Sequence, residues 1–453
     1  MAVPVDLGKA FMARVALPYL DVRRGTDSLA RYRAAMRNTR RPLEELRSEQ
    51  WARVRALIDH AYRNVPHYHD AFRRSGVAPG DIRTPEDFRR VPILSKETIQ
   101  QEPGRLRSTD AVRRRPVPNS TGGSTGQPLQ YVLDRASLGW MFAMLWRGWG
   151  YGGYELGDRR ATLAGLSVLT PGEGMRKTVQ TRLLDRNLAL PATRLDPPTV
   201  RDYVRRLRSW RPRFLMGYPS AIVQFCRAAR EELQGLGLRG VCTNAEMLYP
   251  HERADIEEVL GCPVLDGYGA NDGGVSAFEC GEHPGYHVDQ ERGLLEVVAD
   301  GEPAAPGERG EVLATDLHNY SMPFIRYAIG DVAVPSGERG SCGRTLPLLD
   351  RIEGRTTDLL VFRGGVIVSG PSIVHAFKDL ALDDYLVEQL SDSRIQASLV
   401  TRPGGTTPEH VEAVLRRNLG ADVEVAVKVV DAIPRRPGGK RRFIVSSLAR
   451  GLR

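Results

Sequence analysis

The sequence predicts an α/β protein. A large N-terminal domain of several parts, one of them a β-meander or barrel-like unit, is hinged to a small α+β C-terminal domain. Three observations carry that prediction. The chain is 453 residues long, more than one hydrophobic core usually serves. From Pro116 onward, short apolar runs that stop at polar turns alternate with amphipathic helical stretches, the pattern of helices layered on a sheet. After about residue 286 the helical periodicity ends, and strands follow one another through Gly and Pro turns.

Residues 1–115 read as a helical, basic part of the large domain. Trp51, Val54, Leu57, Ile58 and Ala61 recur at helical spacing, and Val65-Pro66 stops that helix. Residues 116–353 form the core of the large domain. The run LGWMFAMLWRGWGYGG is a helix ended by glycines, and RRATLAGLS is a short strand. PTVRDYVRRLRSWRP is an amphipathic helix leading into the buried strand and turn FLMGYPS. GLGLRGVCTNAE and CPVLDGYGAND are strands that each stop at a polar turn, and GLLEVVAD, GERGEVLATDL, FIRYAIGDVAVPS and PLLDRIEG build the meander. Trp140, Trp146 and Trp149 sit at helical spacing and read as core rather than as a pocket wall. A boundary at 354–358 precedes the small domain, 359–453.

Composition narrows the function classes. Hydrophobic residues make up 41% and charged residues 26%, the balance of a soluble globular protein. No apolar run reaches the roughly 18 residues a bilayer span requires. Lys9, Arg14 and two prolines interrupt the mildly apolar N-terminus, so no signal peptide is expected and a cytoplasmic enzyme is the default. The net charge of +9 is spread along the chain as arginine. It comes with no zinc-finger, RNA-binding or basic-zipper pattern, so neither nucleic acid nor membrane is an expected partner. Five scattered cysteines fit a reducing compartment rather than a disulfide framework.

Ser120-Thr121-Gly122-Gly123-Ser124-Thr125-Gly126 is the most informative stretch. Three glycines let successive backbone N–H groups point at one anion, and four hydroxyls add donors. The loop lacks the Gly-Lys-Ser/Thr of a Walker loop and the spacing of a dinucleotide fingerprint. It is followed in order by Met216-Gly217-Tyr218-Pro219-Ser220, Thr243-Asn244-Ala245-Glu246, Gly267-Tyr268-Gly269-Ala270-Asn271-Asp272 and Arg326-Tyr327-Ala328-Ile329-Gly330-Asp331. Arg351-Ile352-Glu353-Gly354-Arg355-Thr356-Thr357-Asp358 and Pro437-Gly438-Gly439-Lys440 complete the series.

This series resembles the AMP-forming adenylating superfamily of acyl-CoA ligases, peptide-synthetase adenylation domains and luciferases. More narrowly it resembles the phenylacetate–CoA ligase branch, including relatives of capsular polysaccharide type. The resemblance implies that the Ser/Gly loop binds ATP phosphates and that Asn244, Ala245 and Glu246 pack on adenine beside Tyr268 and Gly269. Tyr218, Pro219, Ser220 and Gly267 would line the acid pocket. Asn271 stands where relatives carry a hydroxyl residue near the α-phosphate. Asp272 replaces their Glu as a magnesium carboxylate, one methylene shorter and so reaching the ion through water. Asp331 would hold the ribose, with Arg351 also at the nucleotide and Arg355 facing the phosphates or ribose. Thr357 and Asp358 fall at the hinge, Thr357 taking the place of the usual pivot aspartate. Lys440, carried on a mobile lid, would bridge carboxylate and α-phosphate.

The implied activity is ATP- and Mg2+-dependent activation of an acid, aryl or arylacetic in class, followed by transfer to coenzyme A. Within the same fold the acceptor is alternatively an amine or a carrier protein, or the acid a non-carboxylate oxyacid such as nitrite. A non-catalytic nucleotide-binding protein is the remaining class, and the sequence leaves a homodimer open. Cys280, His283, His287 and Cys342 are weighed as a zinc set. Relatives with such a set would show Cys-x-Cys-Gly-Arg, and Gly340-Ser341-Cys342-Gly343-Arg344 keeps one of those two cysteines, so structural zinc is not expected.

Overall fold

The computed structural model describes residues 6–121, 129–164, 185–192, 195–338, 340–355, 359–363, 367–369, 373, 376–377, 380–402, 404–419, 423–434, 442–446 and 448. The expected α/β architecture is present. Residues 7–114 are helical apart from short turns. Helix Leu43–Asn64 buries Val54, Leu57, Ile58 and Ala61 to 1% exposure or less. Pro66 ends it, because proline has no N–H to continue the ladder, and then opens the next helix, Pro66–Ser75. The buried face packs in one core with Val275, Val312 and Tyr327 from the sheet and Phe324 from the segment before strand Tyr327–Pro335. Burying such side chains contributes roughly 1.5–3 kcal/mol each.

The strands are β1 (Val117–Ser120), β2 (Gln130–Leu133), β3 (Arg160–Ala164), β4 (Asn187–Pro191), β5 (Phe214–Gly217), β6 (Gly240–Asn244) and β7 (Val264–Ala270). They continue as β8 (Val275–Phe278), β9 (Tyr286–Val288), β10 (Gly293–Ala299), β11 (Glu302–Pro303), β12 (Gly310–Asp316), β13 (Tyr327–Pro335) and β14 (Leu348–Arg355). β1 and β2 form a hairpin of their own. β3 to β14 form one twelve-stranded sheet, ordered β11-β10-β12-β13-β14-β9-β8-β7-β6-β5-β3-β4. The meander expected as a separate part therefore extends the same sheet, attached through β14, β9 and β8. The strands from β3 to β7 run parallel, so their carboxyl ends share one edge. In such sheets the ligand crevice lies along that edge.

Gly217 shows why that edge is tight. A Cβ there would sit 2.1 Å from the carbonyl oxygen of Leu163 on the neighbouring strand, so glycine alone fits. Helix Arg135–Tyr151 supports the sheet, and its Trp140, Trp146 and Trp149 are 7–8% exposed, as the core reading expects. Arg147 of the same helix is fully buried against Asp289 and Glu291.

The C-terminal part holds the hairpin β15 (Leu359–Val361) and β16 (Ile367–Ser369) and a second sheet. That sheet is made of β17 (Leu382–Ser391), β18 (Arg394–Thr401), β19 (Glu424–Val429) and β20 (Ile444–Ser446), ordered β19-β18-β17-β20. Helix Pro408–Leu419 closes its core through Val411 and Leu415 onto Val387, Ile395 and Leu399. Among the described residues, no helix is long and apolar enough to cross a membrane.

Candidate active site

In the sequence the Ser/Gly stretch joins β1 to β2. At its base Thr121 N–H donates to the carbonyl of Leu129 (3.0 Å), and Leu129 N–H donates back to Thr121 Oγ1 (2.9 Å). Ser120 pairs with Gln130 in the ladder. Gly122, Gly123, Ser124, Thr125 and Gly126 lie outside the described residues, as do Thr357, Asp358 and Lys440.

The turns after β5 and β6 meet at the sheet edge. Glu246 Oε2 accepts a hydrogen bond from the backbone N–H of Ser220 (3.2 Å), tying the two turns together. Ala245 holds a left-handed φ of 66°, an uncommon backbone state for a residue with a Cβ. Tyr218, expected at the acid pocket, is wholly buried and packs in the core cluster of the parallel strands. Pro219 begins helix Pro219–Ala228, and Ser220 Oγ is buried with no hydrogen-bond partner among the described residues.

Gly267 pairs with Asn244 and borders a cleft shared with Thr243, Trp149, Asp266 and Phe278. The Phe278 ring fills the floor: a Cβ on Gly148 or Gly267 would come within 2.3 or 2.9 Å of it. Asp266 is gripped by Thr243 Oγ1 (2.6 Å) and Tyr286 OH (2.9 Å). Burial, with the nearby Glu279 charge, pushes its carboxyl up to about 6.

The third cluster forms where β7 ends beside β13. Tyr268 OH donates to Asp331 Oδ2 at 2.8 Å, which brings the expected adenine and ribose residues together. Gly269 follows Tyr268, exposed at this end of β7. The ladder sets Asp331 opposite Arg355 on β14. Arg351, half exposed on that strand, is ion-paired with Asp350 and Glu353. Asn271 is exposed at the mouth, and Asp272 Oδ2 accepts from Tyr327 OH at 3.3 Å. Arg292 Nη2 donates to Asn271 Oδ1 at 3.0 Å.

No family model matches the chain. The phenylacetate–coenzyme A ligase of Escherichia coli is 28% identical over 339 residues, 71% of this chain and 74% of that protein. The ligase of the same name from Thermus thermophilus is 25% identical over 443 residues, 89% and 97% of the two chains. Among solved structures, 2-hydroxyisobutyryl-CoA ligase in its postadenylation state superposes with a TM-score of 0.72 at 21% identity, covering 91% and 92%. The chain is thus similar in sequence to phenylacetate–coenzyme A ligases and in fold to an acyl-CoA ligase.

The turn after β6 also packs against the C-terminal part of the chain. Tyr249, three residues past Glu246, is 8% exposed and clusters with Leu360, Tyr385 and Val387. Its ring meets Phe443 edge-on at 5.9 Å, and Phe443 stacks toward Tyr385 at 4.8 Å.

The ligase also gathers three of the four residues weighed for zinc. The donor atoms of Cys280, His287 and Cys342 lie within 4.8 Å of one another. His287 Nε2 is 3.4 Å from each sulfur, and burial followed by the Arg344 and Arg147 charges pushes its ring down to about 4. His283 turns away to Arg253 and Glu279. Among the described residues these three side chains converge, and a closed tetrahedral zinc site takes four ligands. Sequence reasoning did not single out Arg147, Asp266 or Arg292, because a lone buried charge carries no motif. Only its partners reveal it.

Proposed function

We propose that this ligase activates a carboxylic acid with ATP and passes the acyl group to coenzyme A. The observation that carries the proposal is the meeting of Tyr268 with Asp331, flanked by Asn271 and Asp272, at the carboxyl edge of the sheet. In the first half-reaction a substrate carboxylate oxygen attacks the α-phosphorus of ATP in line and pyrophosphate leaves. The product is an acyl-adenylate. Asp331 accepts from the ribose hydroxyls, the Ser/Gly loop donates to the phosphates, and Lys440 bridges the carboxylate and α-phosphate as charge builds. Arg355 adds a second cation there. Asp272 is the carboxylate for magnesium, which when bound offsets phosphate charge.

In the second half-reaction the small domain turns about residues 354–358, and the coenzyme A sulfur attacks the acyl carbonyl. The carbon–oxygen bond to AMP breaks and the thiol proton passes to solvent. The named relatives support an aryl or arylacetic acid as the leading class. The test is acid-dependent ATP–pyrophosphate exchange across aryl, arylacetic and short aliphatic acids, followed by AMP release with coenzyme A or an amine. Exchange with an aryl acid and coenzyme A-dependent release are expected. A blank panel sinks the carboxylate assignment and directs the assay to nitrite, and amine-dependent release sinks the thioester.

The Tyr249 contact supports a distinct expectation, with the domain arrangement it holds taken as the adenylating one. An aromatic pair contributes about 0.5–1.5 kcal/mol beyond its area, so Tyr249→Ala should depopulate that arrangement by about two- to tenfold. Pyrophosphate exchange should slow by about that factor, with thioester formation from a preformed adenylate within about twofold. Equal slowing of both half-reactions would show that the ring serves stability alone.

A further inference from the structure

Arg292 occupies an unusual place for a guanidinium. It is 2% exposed, and its Nε has no hydrogen-bond partner among the described residues. The carboxylates facing it are Asp316, Asp289 and Asp272, with the Tyr131 phenol alongside. Two of those acids are held elsewhere: Asp316 by Ser137 Oγ (2.5 Å) and the His318 N–H (2.9 Å), Asp289 by Arg147 and Ser276. Arg292 directs a hydrogen bond outward to the exposed side chain of Asn271 (3.0 Å). Tyr131 follows closely on the end of the Ser/Gly loop, so this cluster stands at the foot of the phosphate hairpin.

A guanidinium has donors and no acceptor. It therefore engages the amide oxygen of Asn271 and leaves the NH2 group facing the mouth of the site. The reverse flip would set two donors against each other and take an acceptor from a buried cation. An amide is ambiguous where a hydroxyl is not, because only its nitrogen end suits an anion.

We propose that Arg292 is a positioning residue that fixes Asn271 as a hydrogen-bond donor to the phosphate undergoing transfer. The proposal rests on the adenylation reading above. It makes Arg292 necessary because of Asn271: a hydroxyl at position 271 rotates freely and needs no orienting partner.

The test is pyrophosphate exchange by the full chain with the best acid of the panel, reading kcat and KM for ATP separately. Asn271 is exposed, so its variants leave the fold intact. Asn271→Asp should lower kcat by about 100-fold with little change in KM, and Asn271→Thr, which keeps a donor, sets the reference rate for the second background. Arg292→Met should lower kcat about 30-fold in the parent and under about threefold in the Asn271→Thr background. If Arg292→Met does not fold, Arg292→Lys serves the same comparison, its smaller loss again vanishing beside Asn271→Thr. An equal loss in both backgrounds, or an active Asn271→Asp protein, overturns the proposal while leaving adenylation standing. A parent protein silent across the whole panel overturns the adenylation reading instead.

Discussion

Lys440→Ala is expected to lower acid-dependent pyrophosphate exchange by about 10²- to 10³-fold while ATP binding stays within a few-fold. The reason is a division of labour between domains. On the proposed mechanism the binding contacts come from the twelve-stranded sheet, where Tyr268 and Asp331 are joined by a hydrogen bond. In the sequence Lys440 stands three residues before Phe443, whose ring meets Tyr249, and on the proposed mechanism it is carried on the mobile C-terminal part. An ammonium on a flexible stem suits a group that serves one half-reaction and leaves for the next. The arginines around it, Arg435, Arg436, Arg441 and Arg442, offer planar forks rather than a compact point charge and should not substitute. Thioester formation from a preformed adenylate should be unchanged. Intact exchange in the variant would remove Lys440 from the chemistry, and loss of ATP binding in equal measure would assign it to substrate capture.

The largest stability effect is expected at Arg147. Its guanidinium donates to Glu291 through Nη1 (2.8 Å) and Nη2 (2.9 Å), to the carbonyl of Ala35 (3.1 Å) and to Asp289. All three charged side chains are 3% exposed or less. Burial pushes the Glu291 carboxyl up, but the Arg147 charge and its hydrogen bonds outweigh that and hold it below its usual value. Arg147→Met would leave two carboxylates facing each other without a cation, a loss of about 3–5 kcal/mol. It should appear as an earlier urea transition of the large domain. Neutralising the partners in the same protein, with Asp289→Asn and Glu291→Gln, should recover much of that loss, because the cost lies in stranded charge rather than in lost packing. A single Arg147→Met variant as stable as its parent would refute this account.

The α/β class, the order of the motifs and the glycine-hydroxyl character of the loop after β1 were determined by the sequence alone, because each is a local property. Alternating apolar runs, helix-stopping prolines such as Pro66, and a run of glycines and hydroxyls act through neighbouring residues, and neighbours are written side by side. Even the buried tryptophans of helix Arg135–Tyr151 followed from spacing. What the tertiary structure decided is which distant groups meet. Tyr268 reaches Asp331 across 63 residues, Arg292 reaches Asn271 across 21, and Arg147 reaches Glu291 across 144. Burial of Tyr218, the joining of the meander to the parallel strands, and the convergence of Cys280, His287 and Cys342 are of the same kind. The physical reason is that a side chain's hydrogen bonds and charge depend on what the folded path brings within a few ångströms of it. No local pattern encodes that path.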